Sequence, residues 1–135
     1  MVKVQRLFAK TNLKIPVCKR GEPMKRILVI LGGGRPKGNT RQLADTFIQG
    51  AVDAGHEVEL VSLSQVEVKS CIGCNTCRYG KPCVQKDGFS ELVLKIKAAD
   101  LLVFASPLLF WTISAKLKAF LLPRRGRHES AIRTV

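Results

Sequence analysis

The chain is 135 residues long, enough for one domain with a core of its own and too short for two. With 46% hydrophobic and 24% charged residues it has the composition of a globular protein, not a disordered one, and no apolar run is long enough to span a bilayer. The formal net charge of +13 is concentrated at the ends: residues 1–25 hold seven Lys/Arg against one acid, and residues 124–135 hold four Arg against one Glu. Aromatic residues do not alternate with basic ones as single-strand binders require, so specific nucleic-acid binding is not expected; non-specific attraction by the tails stays open.

Residues 1–23 read as a basic N-terminal extension. They lack the apolar segment of a secretory signal and the serines of a transit peptide, and Met24 is the natural beginning of the domain. Ile27–Leu31 (ILVIL) is continuously apolar and β-branched, the pattern of a parallel strand buried on both faces. Asn39 or Thr40 is expected to cap a helix running to about Ala54. Its apolar face is expected to combine the row Leu43, Phe47, Ala51 with the row Ala44, Ile48, Val52, and Gly55 to end it. Residues 56–63 (HEVELVSL) read as a second strand and 87–99 as a second helix, capped by Asp87 or Ser90, with Leu92, Ile96 and Ala99 on one face. Residues 101–106 (LLVFAS) read as a third strand and Thr112–Leu122 as a third helix. Alternating strands and helices predict an α/β fold with a parallel sheet and right-handed crossovers.

In such a sheet a ligand sits at the carboxyl ends of the strands, where the loops after the first and third strands meet. The first of these loops, LGGGRPKGNT (31–40), has the grammar of a phosphate cradle. From Gly33 to Gly38 it has the P-loop spacing, but Asn39 stands where that motif places the lysine that reaches the β- and γ-phosphates. The dinucleotide pattern G-x-G-x-x-G also fails, because Arg35, Pro36 and Lys37 follow Gly34 before Gly38. A monophosphate at a helix N-terminus needs neither motif. The second loop, SPLLFWTIS (106–114), would hold a flat ring. Phe110 and Trp111 read equally well as ordinary core residues; a solvated loop charge is the weaker reading of Arg35, given its neighbours.

Cys71, Cys74, Cys77 and Cys83 form C-x2-C-x2-C-x5-C. Such compact spacing can wrap one corner of an iron–sulfur cubane, whereas zinc sites more often use two separated pairs. A cluster, a zinc ion and an empty, redox-labile thiol loop all stay open, and a disulfide framework is not expected. Cys18 has no evident partner, and His56 and His128 suggest no catalytic role.

Together, GGGRPKGNT, GHEVELVSL, CIGCNTC and ASPLLFWTISAKLKAF resemble the flavodoxin-like NAD(P)H-dependent FMN reductases, most closely their iron–sulfur flavoprotein branch, over about residues 25–120. The resemblance implies FMN as cofactor and a reduced nicotinamide or ferredoxin-type electron donor. It carries the family's G-S-x-R-x-x-G-N-T loop onto Gly32–Thr40, so that Arg35, Asn39 and Thr40 would contact the FMN phosphate and Gly38 would permit the close turn. Gly33 stands where the family has Ser. Pro107, Leu108, Leu109, Phe110 and Trp111 would lie along the isoalloxazine, with Leu109 in place of the usual Tyr. Cys71, Cys74, Cys77 and Cys83 would hold a [4Fe–4S] cluster relaying single electrons to or from FMN; a cluster-free FMN or quinone reductase is the alternative. Flavin chemistry belongs to the cofactor, so no acid–base constellation is required.

The family fold has five strands ordered 2-1-3-4-5. Here three are expected, in the order 2-1-3, giving a truncated flavodoxin-like FMN-binding domain over residues 24–122 and an irregular basic tail over 123–135. The resemblance further implies a cytoplasmic protein, a homo-oligomer when intact, with no membrane partner. Truncation would leave the third strand bare, and the chain either inactive, a non-catalytic fragment whose basic tails bind anionic partners, or dependent on a partner to fold.

Overall fold

Leucine and β-branched side chains on both sides of a strand demand cover on both sides. β1 (Arg26–Leu31) receives it: every residue from Ile27 to Leu31 is buried, Val29 and Ile30 to 0% exposure. The computed structural model, which describes residues 23–122 except Gly80 and Pro82, sets β1 between two parallel neighbours in the order β2-β1-β3. The tail of residues 123–135 and all of the expected extension but Pro23 lie outside the described residues. Along the chain follow α1 (Asn39–Asp53), β2 (Glu57–Ser62), a 3₁₀ turn (Thr76–Tyr79), α2 (Phe89–Ala98), β3 (Leu101–Ala105) and α3 (Ala115–Leu121). This is the expected α/β, flavodoxin-like arrangement, with the expected strand order.

The register sets Ile27 between Val58 and Leu101, and Leu31 between Ser62 and Ala105. At the amino end, Asp100 clasps β1: its carboxylate accepts from the Arg26 N–H at 2.7 Å, and its own N–H donates to the Arg26 carbonyl at 2.8 Å. Alternation along β1 divides the core. Leu28 and Ile30 face a cluster with Leu63, Phe89, Leu92, Ile96, Leu117 and Phe120, in which the rings of Phe89 and Phe120 tilt together at 5.6 Å. Ile27, Val29 and Leu31 face Ala44 of α1, with Ile48 and Ala51 beside it. Fully burying a side chain such as Phe89 contributes about 1.5–3 kcal/mol, so the first cluster carries more of the stability.

Several boundaries depart from expectation. α1 is capped by Gly38, not by Asn39 or Thr40, because the preceding turn delivers the chain to the helix at Gly38. The face that meets the sheet draws on both expected rows, Ala44 and Ile48 from one and Ala51 from the other, while Leu43, Phe47 and Val52 are exposed. Gly55 ends α1 as expected, at φ 88°, where a side chain would be strained. α2 starts at Phe89 after Gly88, yet Asp87 still serves its first turn by accepting from the Phe89 N–H at 3.3 Å. α3 starts three residues later than expected, because Leu109–Thr112 is occupied by a tight turn and Ser114 supplies the cap, accepting from the Leu117 N–H at 3.3 Å.

Candidate cofactor-binding site

The end of β1 is tied to the end of β3 by a hydrogen bond from the Gly32 N–H to the Ala105 carbonyl, 2.8 Å. A Cβ at Gly32 would lie 2.7 Å from Ser114 Oγ and 2.9 Å from Leu117 Cβ, so only glycine lets the loop pass the start of α3. The chain then closes a β-turn over Arg35-Pro36-Lys37-Gly38, the Gly38 N–H donating to the Arg35 carbonyl at 3.2 Å. Pro36 presets the φ that the second position of such a turn needs, and a Cβ at Gly38 would press to 3.1 Å from Arg35 Cβ. As the helix cap, Gly38 brings no side chain, so the first N–H groups of α1 have no side-chain acceptor and point out of the helix end.

These elements border one cavity of about 950 Å³. Gly33, Gly34, Arg35, Pro36, Lys37, Gly38, Asn39, Thr40 and Arg41 line it from one loop and helix end, Pro107 and Leu109 from the other loop. No acidic residue among the described ones lines it. Arg41 is held by Asp45, its Nε 2.7 and 2.9 Å from the two carboxylate oxygens, whereas Arg35 and Lys37 form no ion pair among the described residues. An uncapped helix start beside two such cations has the electrostatics to receive an anion of the size of a phosphate. A Cβ at Gly33 would meet Pro107, Thr40 and Leu31 at 3.7–3.9 Å, so the absent serine hydroxyl is a matter of sequence and not of space.

Of the site residues named from sequence, Gly33, Arg35, Gly38, Asn39, Thr40, Pro107 and Leu109 share this cavity; Leu108, Phe110 and Trp111 do not line it. Lys37 and Arg41 were missed. Their signal was available, since both are basic and flank the glycine and the helix start of the same loop.

The second loop is closed at its base by Ser106, whose Oγ donates to the Pro107 carbonyl and accepts from the Ser114 N–H, both at 2.9 Å. At its tip Leu109 and Thr112 exchange N–H···O bonds of 2.8 and 3.0 Å around Phe110 and Trp111, at φ 46° and 62°. Two left-handed central residues make this the turn that usually requires Asn or Gly, and each bulky residue there costs about 1–2 kcal/mol. Phe110 and Trp111 are 101% and 95% exposed, so the reading of them as core residues fails.

The cysteine loop is pinned where it leaves the core. The Lys69 N–H donates to Asp87 at 2.9 Å, Gln85 Nε2 to the Ser70 carbonyl at 3.0 Å, and the Gly88 N–H to the Glu67 carbonyl at 3.0 Å. Cys71 and Cys74 are exposed and Cys77 and Cys83 half-buried; none is in a disulfide. Among the described residues no three His, Cys, Asp or Glu side chains come together as a metal-binding group. The clamps therefore gather the ends of the loop and not its thiols. The Thr76 side chain, and after it the Thr76 backbone, hydrogen-bond to Cys74 and lower its thiol pKa. Cys74 should accordingly alkylate with iodoacetamide at lower pH than free cysteine, and Thr76→Ala should move that profile upward. An unchanged profile in the variant would remove the assigned cause.

The three parallel strands in the order β2-β1-β3 with their helices are a flavodoxin-like α/β fold. The NADPH-dependent FMN reductase family matches residues 25–129, and the chain belongs to that family. It is 37% identical over 93 residues to an iron-sulfur flavoprotein of Methanocaldococcus jannaschii, covering 69% of this chain and 48% of that one. An iron-sulfur flavoprotein of Archaeoglobus fulgidus is 34% identical over 92 residues, covering 68% and 42% respectively. The chain thus spans about half the length of the curated relatives it matches. Among solved structures, an NAD(P)H:quinone oxidoreductase from Methanothermobacter marburgensis superposes with a TM-score of 0.63 at 23% identity, over 73% of this chain and 52% of that one. RosB, solved with bound 8-demethyl-8-formylriboflavin-5′-phosphate, gives 0.57 at 22%, over 72% and 40%. At such identities these structures speak for the fold alone.

Proposed function

We propose that the cavity holds FMN, and that the chain is the flavin-binding part of an oxidoreductase of the iron–sulfur flavoprotein kind, drawing electrons from a reduced nicotinamide or ferredoxin-type donor. The observation that carries this reading is the joint wall: an uncapped helix start with Arg35 and Lys37 on one side, Pro107 and Leu109 on the other, and no carboxylate between. Arg35, Asn39 and Thr40 would hold the phosphate with the first N–H groups of α1, while Gly33 and Gly38 keep the backbone close. Pro107 and Leu109 would bear on the ring, and the Leu108, Phe110 and Trp111 tip would exclude water from it. Bound FMN supplies hydride and single-electron chemistry; this chain binds and orients it. By the same family likeness we assign residues 24–122 as the FMN-binding domain and the cytoplasm as its location; no helix among the described residues is long and apolar enough to cross a membrane.

Cys71, Cys74, Cys77 and Cys83 are proposed as [4Fe–4S] ligands on their spacing and on the names of the relatives. Their arrangement in the described loop does not fit a cluster, so no electron path is derived through them. The second reading is a flavin reductase without a cluster. Anaerobic purification with assay of flavin, iron, zinc and acid-labile sulfide separates the two. Flavin with iron and sulfide selects the first reading, flavin alone selects the second, and protein free of flavin even after incubation with FMN defeats both.

A further inference from the structure

Four consecutive large apolar residues stand in water at the tip of the second loop. Leu108 is 72% and Leu109 50% exposed, and Phe110 and Trp111 are wholly so. An apolar patch of this kind marks an interaction surface. The cavity takes only part of it: Leu109 lines the wall, whereas Leu108, Phe110 and Trp111 do not. The reciprocal Leu109–Thr112 bonds and the Ser106 brace fix the turn, and both rings sit on left-handed backbone that their residue types disfavour. The charges beside the tip have one sign. Residues 32–44, the first loop with the start of α1, and residues 101–122, from β3 through α3, contain no Asp or Glu. Their cations include Arg35, Lys37, Lys116 and Lys118, all exposed and in no ion pair among the described residues.

We propose that this tip is an interfacial anchor: Leu108, Phe110 and Trp111 enter the headgroup region of an anionic lipid bilayer, and Arg35, Lys37, Lys116 and Lys118 meet its phosphates. Leucine and phenylalanine suit the apolar side of that boundary, and an indole with its single N–H donor suits the boundary itself. Apolar insertion and the attraction of cations to anionic lipid are each weak alone, and stable anchoring takes two such signals. No helix among the described residues is long and apolar enough to cross a membrane, so the contact is with its surface. A protein partner fits less well. Two neighbouring rings on a projecting turn would each need a pocket in it, whereas a lipid surface needs none.

Trp111 is the only tryptophan of the chain, so its emission reports the tip alone. The test titrates the full chain at physiological salt with vesicles of phosphatidylcholine, and with vesicles of equal parts phosphatidylcholine and phosphatidylglycerol. With the anionic vesicles Trp111 emission should shift to the blue and be quenched by lipids brominated along their tails; binding to phosphatidylcholine alone should be weaker by roughly tenfold or more. Phe110→Asn places a residue that the turn favours at the same position, and should weaken sedimentation with anionic vesicles at least about tenfold. Leu108→Ser serves as the second variant if circular dichroism shows the first unfolded. Sedimentation with Trp111 emission unmoved and Phe110→Asn bound as tightly as the parent would assign the attraction to the basic tails. A blue shift with poly-glutamate and none with vesicles would give the tip to an acidic polypeptide, and a shift that grows with protein concentration without lipid would give it to a second copy. Each of these three results, or the absence of any binding to the anionic vesicles, overturns the proposal.

Discussion

Gly32→Ala should lower the thermal midpoint of the chain by roughly 10 °C, while Gly34→Ala, two residues on, should leave it nearly unchanged. The difference is one of space. A methyl at Gly32 would fall 2.7 Å from Ser114 Oγ and 2.9 Å from Leu117 Cβ, whereas a methyl at Gly34 meets nothing within 4 Å. Neither partner can retreat cheaply. Ser114 is the cap of α3, and Leu117 is 1% exposed in the larger core cluster. Forcing a methyl into a packed contact of this kind costs about 1–3 kcal/mol, and each kcal/mol moves the midpoint of a domain this size by roughly 4–8 °C. Thermal circular dichroism of the two variants checks it. If Gly32→Ala melts with the parent, the loop after β1 does not pass the start of α3 so closely in solution.

The strands and their order were legible because their signals are strong and local. ILVIL reads as a doubly buried strand and LLVFA as a strand apolar on both faces, and crossover handedness leaves few ways to arrange three parallel strands. What sequence could not decide was settled by single contacts. Leu43 and Ala44 begin equally apolar rows on α1, and the buried face takes Ala44 and Ile48 from one row and Ala51 from the other. Asn39 is a better capping residue than Gly38, but the Arg35–Gly38 turn hands the chain to the helix at the glycine. The start of α3 was misplaced because Phe110 and Trp111 adopt backbone angles that their residue types disfavour, so propensity gives no warning of the turn. For the cysteines, spacing suggests a common ligand, whereas the hydrogen bonds of Asp87 and Gln85 organise only the base of their loop.

Backbone strain concentrated beside a cavity is more often retained for function than by accident. The Phe110–Trp111 turn is held from below by Ser106 and by the reciprocal bonds of Leu109 and Thr112, and its residues Pro107 and Leu109 form a wall of the cavity. The glycine loop and the strained loop therefore contribute different things. The first supplies positive potential without bulk, and the second supplies apolar surface on a rigid support. A mononucleotide with a charged end and a flat end suits that division, which allows the two ends to be tested apart.

Arg35→Glu should weaken FMN binding by about 100-fold or more and leave riboflavin binding within a few-fold of the parent. A hydrogen bond to a charged group contributes about 1.5–3 kcal/mol, equivalent to roughly 10- to 100-fold, and reversing the charge adds repulsion to that loss. Arg35 is suited to the role because the turn closed by Pro36 and Gly38 carries it to the start of α1, with no carboxylate lining the cavity to compete for it. Arg35→Lys should retain most of the charge effect but lose the two-pronged geometry, and so fall between the parent and the glutamate variant. Because riboflavin lacks the phosphate, its affinity reports the ring site alone. Titrations of both ligands by flavin fluorescence give the ratio directly. Equal losses for FMN and riboflavin would mean that Arg35 supports the loop and does not meet the phosphate, and the anion site would then have to rest on Lys37 and the helix end.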